Sequence, residues 1–338
     1  MIVRKSPCVT RVRWIACLGL IAFLAVSCGE TSGPRSRLLL SGNWDTVANL
    51  VYGATDSTFI TPLHVRGGPS GIWISDGGIP RVALLDTAGH LQWLRGRRGE
   101  GPGEFRSIRD IEVFGDSELA VLDPRNGRIS VLNIRGEFVS ETPLTETGHA
   151  EQLAPLSGRR YGLMTMRPDS PVVWVDSMGV IAKRKPVPWT RFAELHPLAT
   201  QNHTAGDRTG RRWVVTLAIG DRFWLGDGET AEIQEGLYIE SVEVPNIPVP
   251  TGPAPVSLPL TPFAGTAAAI VGDSLFVLFG GTTELRQRLI DVYLLDSREY
   301  VKTYVLPVAA TSFDVFGGIF SLILYGDNPH FLLLRYRG

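Results

Sequence analysis

Histidine is the side chain best suited to move a proton or hold a metal near neutral pH, and three of the six histidines in this sequence sit in its middle: His149, His196 and His203. Imidazole suits zinc, whereas carboxylates with carbonyl oxygens suit calcium. Asp110, Glu151 and Asp314 are the acids that join such a set if distant parts of the chain converge. The intervals between these residues match no fixed ligand signature. "TQNHTAGDRTGRR", which contains His203, reads equally well as a polar loop. Other chemistries lack their motifs. There is no G-x-S-x-G nucleophile elbow, since "GGPSGI" around Ser70 has the wrong spacing. There is no H-E-x-x-H, and no cysteine follows Cys28.

"GRRGEGPGEF", residues 96–105, has the composition of a phosphate-cradling loop. Such a loop must feed a helix, whose N-terminus carries partial positive charge. Here it lies between the strand-like runs "HLQWL" and "IRDIEVF", so it reads as a connector. Asp76, Arg81, Asp123, Asn126 and Arg128 are the most regularly placed polar residues; Asp and Asn there close turns on their own backbone. Arg97, Arg98 and Arg125 form a local basic cluster interrupted by Glu100 and Glu104. Trp73, Trp93, Trp174, Trp213 and Trp224 recur on strand-like runs, where aromatic rings serve cores more often than sugar contacts.

The elements that must position these residues are repeats. Sliding the chain by 47 residues lays "GIWISDGGIPRVALLDTAGHLQWL" on "ELAVLDPRNGRISVLNIRGEFVSE" without a gap. Asp76 meets Asp123, Arg81 meets Arg128, Asp86 meets Asn133 and Gly89 meets Gly136. "VVWVDSMGVI" and "VYLLDSREYV" echo the same strand, turn and strand. Units of this length with four short strands each predict an all-β, six-bladed β-propeller of antiparallel blades. The blades start near residues 61, 107, 150, 198, 263 and 311. The last unit holds material for three strands only. "DTVANLVYG", after Trp44, is expected to supply the fourth and close the ring, which otherwise leaves open sheet edges. "VPNIPVPTGPAPVSLPLTP", residues 244–262, contains seven prolines and cannot be a central strand. It is expected to be a long excursion between blades four and five that borders the functional face.

"GRRGEGPGEF" followed by "DPRNGRISVLNIRGEF" resembles NHL-type six-bladed propellers, and especially the six-bladed propeller lipoproteins of bacterial envelopes. That family joins blades with G-x-G-x-G-x-F and sets D-x-x-N-x-R before the third strand. The likeness is good over residues 61–140 and partial to about 187; "DGGIPR" departs from it by lacking the asparagine. The resemblance implies the fold and an envelope location. A ring of histidines and acids at the channel is similar to the metal sites of six-bladed amidating lyases and lactonases. Fold transfers on such a likeness, and function does not.

The N-terminal segment agrees with export. "MIVRKSPCVTRVR" carries four basic residues and no acid, and the 14 residues from Trp14 to Ser27 are apolar. That is the plan of a signal peptide, too short for a membrane span of roughly 20 residues. "LAVSC" resembles a lipobox, although Ala25 stands where leucine is commoner. The expected organisation is a lipoprotein signal over 1–27, a lipidated Cys28 with a flexible tether over 28–43, and the propeller over 44–338. Lipid at Cys28 holds the chain on an envelope membrane surface, the outer membrane or a periplasmic face. The chain carries 33 Lys and Arg against 34 Asp and Glu, and four of the basic residues precede Cys28. The remainder, 29 basic and 34 acidic, does not suit a nucleic-acid partner.

No residue set reaches the specificity of a catalytic signature. The sequence therefore reads as a binding or scaffolding module whose ligand, an envelope protein, peptide or glycan, sits at the channel mouth. Asp110, His149, Glu151, His196, His203 and Asp314 are its candidate ligand-binding residues, and no cofactor is expected. The alternative is a metal-dependent hydrolase or lyase in the channel, with calcium or zinc; a purely structural repeat protein is a third reading.

Overall fold

The computed structural model describes residues 36–51, 59–144, 150–165, 172–185, 202–218, 220–230, 232–240, 242, 263–281, 285–324 and 330–338. Among them all regular structure is β. Two N-terminal strands, β1 (Leu39–Leu40) and β2 (Asn43–Val51), precede the first blade, β3–β6 (Pro62–Gly68, Gly71–Asp76, Arg81–Leu85, Leu91–Arg95). Blade 2 is β7–β10 (Asp110–Phe114, Glu118–Asp123, Arg128–Asn133, Phe138–Pro143), and blade 3 is β11–β14 (Ala150–Leu156, Arg160–Thr165, Val172–Val175, Ile181–Lys185). Blade 4 is β15–β18 (Asn202–Gly206, Arg212–Leu217, Arg222–Asp227, Ile233–Leu237). Blade 5 is β19–β22 (Phe263–Val271, Ser274–Gly281, Leu289–Leu294, Tyr300–Val305). Blade 6 is β23–β25 (Ser312–Phe316, Ile319–Leu324, His330–Arg337) with β2 on its outer edge. The protein is a six-bladed β-propeller of four-stranded antiparallel sheets, and the 47-residue offset holds strand for strand between blades 1 and 2.

Middle strands are buried on both faces, as in β4, whose six residues are all buried. Period-2 alternation then sends neighbouring residues into different seams. Ile72 and Ile74 pack against Ile319, Ile323, Phe331 and Leu333 of blade 6. Trp73, between them, joins Ile111, Val113, Leu119 and Val121 of blade 2. Each of the six core clusters is one such seam. Outer strands are polar on one side, as in β10, where exposed Val139, Glu141 and Pro143 alternate with more buried residues.

The ring closes as expected: β2 pairs antiparallel with β25, from Asn43 opposite Arg337 to Val51 opposite His330. Trp44 pins it, donating its indole N–H to the Val305 carbonyl (2.9 Å) and meeting Phe320 edge-on at 5.0 Å. One strand is unexpected. Leu39–Leu40, within the stretch read as tether, pairs in parallel with Thr303 and Tyr304 and makes blade 5 five-stranded.

"GRRGEGPGEF" joins β6 to β7, two strands, and so meets none of the requirements of a phosphate loop. Arg98 bridges Phe105, which is fully buried. Gly96 turns with φ +102°, where a Cβ would lie 2.9 Å from the Phe105 ring. The connector is held from the next blade: Asn126 donates to the Gly99 carbonyl (2.9 Å), and Arg128 donates to the Gly101 and Glu104 carbonyls (2.7 and 3.0 Å). Asp123, fully buried, accepts from the Arg106 and Ser107 amides (2.8 and 3.0 Å). Asp76 does the same for Ile60 and Thr61, both at 2.9 Å.

Candidate functional site

Inner strands expose alternate residues to the channel while the others enter the seams. On β3, Val65 is buried in the seam with blade 6, and His64 and Arg66 face the channel. On β7, Ile111 and Val113 are core, and Asp110 and Glu112 are the channel residues. At the end where the inner strands begin lies a cavity of about 300 Å3. All six blades line it, among them His64, Asp110, Gln152, Thr204, Thr266 and Ser312. Deeper, the space narrows to about 20 Å3 among Arg66, Glu112, Arg208 and Asp314.

A buried ion cluster forms this narrowing. Arg66 donates through Nε to Glu112 Oε1 (2.8 Å) and through Nη1 to the Val65 carbonyl (3.0 Å), and its Nη2 lies 3.4 Å from Asp110 Oδ1. Asp110 and Asp314 tie inner strands that share no sheet. Asp110 accepts from the Leu153 amide of blade 3 (2.9 Å), and Asp314 accepts from the Gly67 amide of blade 1 (2.6 Å). Each also accepts the amide of the residue after it, Ile111 at 2.9 Å and Val315 at 2.7 Å. Arg208 donates to the Gly67 carbonyl (2.8 Å) and stacks 4.2 Å from the Phe316 ring centroid.

Burial dominates the protonation states. It pushes the Glu112 carboxyl up to about 8, against the pull of Arg66. Asp110 and Asp314 rise for the same reason, with Arg66 again opposing. Burial pushes the His64 imidazole down to about 3, assisted by the charges of Arg66 and Arg109. It pushes His203 down to about 4, with Asp110 pulling the other way. Both imidazoles are therefore neutral at pH 7. His64 Nδ1 lies 3.6 Å from Asp110 Oδ1, and because the ring is neutral this contact is not an ion pair.

Of the residues singled out from the sequence, Asp110, Glu151 and His203 line this cavity. Asp314 lies in the narrowing beneath. His149, His196, Cys28 and the proline-rich stretch 244–262 fall outside the described residues. Among the described residues, no group of three or more His, Cys, Asp or Glu side chains is placed to hold a metal ion. The tryptophans are not a sugar-binding surface: Trp73, Trp174, Trp213 and Trp224 are buried in the blades, and Trp93 packs edge-on to Trp73. Arg97 of the basic cluster is taken up by Glu104 (2.7 Å).

Sequence reasoning missed His64, Arg66 and Glu112. The signal was there for His64, three residues after the predicted start of its blade and thus on an inner strand. Which inner-strand residues face the channel depends on the pleat, and the repeat alone does not show that.

These features define a six-bladed propeller with a polar pocket at one mouth of its channel. No protein-family model and no curated protein matches the sequence. Among solved structures the chain is similar to a Bacteroides fragilis protein named as exported, at TM-score 0.57 and 13% identity, covering 89% of this chain and 99% of that one. It is also similar to a DUF4221-family member from Bacteroides vulgatus, at TM-score 0.55 and 10% identity over 88% and 99% of the two chains. Virginiamycin B lyase from Staphylococcus aureus follows at TM-score 0.50 and 10% identity, over 86% and 99%. At these identities the likeness is one of fold.

Proposed function

We propose that this protein is an exported, envelope-anchored binding module that takes a small ligand into the cavity at the channel mouth. Anchoring rests on the basic and apolar N-terminal run ending at Cys28. Binding rests on one observation: a concave cavity of about 300 Å3, built by the rigid inner strands of all six blades and lined by convergent polar side chains. His64, Asp110, Glu151 and His203 are its polar residues with the greatest chemical range. Asp110 also has a structural task, because its carboxylate ties blade 2 to blade 3.

The test is to fill the cavity. Wild type and Thr266→Trp are purified from the same envelope extract, and the small molecules released on denaturation are compared. One compound, near one equivalent per chain, is expected from wild type and not from the variant. Identical profiles overturn the reading. Thr311→Trp, on the neighbouring blade, guards against a folding defect in the first variant.

The second reading is a metal-dependent hydrolase or lyase: His64, His203 and Asp110 line one cavity, although the three are not placed to hold a metal between them. About one zinc or calcium ion retained per purified chain favours it over the binding module.

A further inference from the structure

We propose that the cavity takes an uncharged, hydroxyl-rich ligand of about monosaccharide size; this rests on the reading of the cavity as a binding site. The two halves of the lining differ. On blades 1 to 3 the charged groups are already engaged within the protein. Arg66 is held by Glu112 and the Val65 carbonyl, and Arg109 is ion-paired with Glu151. Both oxygens of Asp110 accept backbone amides. The two imidazoles of this cavity, His64 and His203, carry no charge at neutral pH. Even with Glu112 protonated at pH 7, the Arg66 Nε and Nη1 donors are occupied and its Nη2 lies 3.4 Å from Asp110, so a ligand with a full charge finds no vacant charged partner here and loses its hydration on entering.

Blades 4 to 6 contribute a neutral wall: Thr204, Thr266, Ala267, Ala268, Thr311 and Ser312. The Thr266 hydroxyl donates to the Leu278 carbonyl and the Thr311 hydroxyl to the Ile323 carbonyl, both at 3.1 Å. The Thr204 hydroxyl is directed at the Leu153 carbonyl, 3.5 Å away. With their protons directed inward, these oxygens keep lone pairs for a ligand. Each neutral imidazole adds one acceptor and one N–H, and the His64 ring already hydrogen-bonds the Arg109 backbone. The threonine oxygens thus tilt the wall towards acceptors, which favours a ligand bearing several O–H groups. Leu63, Ile108, Ala267 and Ala268 supply apolar surface for the C–H faces of such a ligand. The volume lies at the lower end of the about 300–1,000 Å3 range of small-molecule sites, which sets the size.

The experiment is ligand-observed saturation-transfer NMR on the chain from Cys28 onward, at pH 7. The probes are glucose, galactose, mannose and xylose, together with the matching uronates and 2-amino sugars. At least one neutral sugar is expected to bind, and its uronate and amino counterparts to bind at least about tenfold more weakly. Thr266→Val, which removes the acceptor and keeps the shape, is expected to weaken the neutral sugar about tenfold, whereas Trp in its place abolishes binding. A uronate or amino sugar that matches or exceeds its neutral parent overturns the inference, as does silence from all four neutral sugars. The released-compound comparison between wild type and Thr266→Trp stands independently. If the sugars are silent and that comparison still shows a lost compound, the ligand class is wrong and the binding module survives. If both fail, the cavity is not a ligand site.

Discussion

Glu112 shows how one buried side chain can carry information about the whole channel. Its carboxyl is raised to about 8 by burial, against the pull of Arg66, while the same group in the unfolded chain titrates near its ordinary value of 4.5. Between those values the folded protein holds a proton that the unfolded chain has lost, so raising the pH removes stability. The two imidazoles have the opposite sign: lowered in the fold, they cost stability as pH falls below 6.5. Asp110 and Asp314 are raised as well and share its sign, so it is the difference between wild type and Glu112→Gln from pH 7 to 8, above the imidazole range, that isolates Glu112. Urea unfolding across that interval is expected to show stability falling by up to about 1.4 kcal/mol per pH unit. Glu112→Gln should flatten the slope, and an unchanged slope in that variant rules Glu112 out as its source. At this scale the sequence reading was partial. Asp110, Glu151 and His203 do meet at one cavity, because they fall at or near inner-strand starts. Arg66 and Glu112 were invisible because only the pleat decides that they face the channel and not a seam.

Among the elements, β1 is the one with no sequence signal. Two leucines have no periodicity, and their partner β22 lies at the far end of the chain. What holds the strand is Arg37, just before it. Its guanidinium grips both oxygens of fully buried Asp291 (2.9 Å each), pairs with Glu240 and lies 4.4 Å from the Phe279 ring centroid. Thr303 adds a hydrogen bond to Asp291 at 2.6 Å. Removing one partner of a buried pair strands the other charge. Arg37→Ala is therefore expected to cost about 3–5 kcal/mol in chemical unfolding, against less than about 1 kcal/mol for Glu240→Ala at the more exposed end. A loss below about 1 kcal/mol for Arg37→Ala would show that β1 is an incidental contact. The hairpins, by contrast, were legible. Asp86, Asn133 and Asp176 each accept amides two and four residues ahead, and the following glycines 89, 136 and 179 have φ of +90°, +73° and +78°.

For the molecule as a whole, the chain enters at the rim. Arg37 docks on blade 5 and β2 closes blade 6, and neither Arg37 nor β2 lines the cavity. In the proposed anchored state, a lipid at Cys28, nine residues before Arg37, would keep that rim within about 30 Å of the membrane, from the reach of an extended chain. The channel mouth would then be left to the proposed ligand. Cys28→Ser is expected to move the protein from the membrane fraction to the soluble fraction and to abolish incorporation of labelled fatty acid. A variant that still fractionates with membranes and still takes up label overturns the anchor.

The sequence by itself determined the architecture: the 47-residue repeat, the hairpin turns, the positions of the blades and the strand that closes the ring. It could do so because strand period, turn chemistry and repeat length are local quantities, written again in successive units. The tertiary structure alone decided the channel. Which face each inner strand turns inward, how Arg66 gathers carboxylates from other blades, and why His64 and His203 stay neutral all depend on burial by residues far apart in the chain.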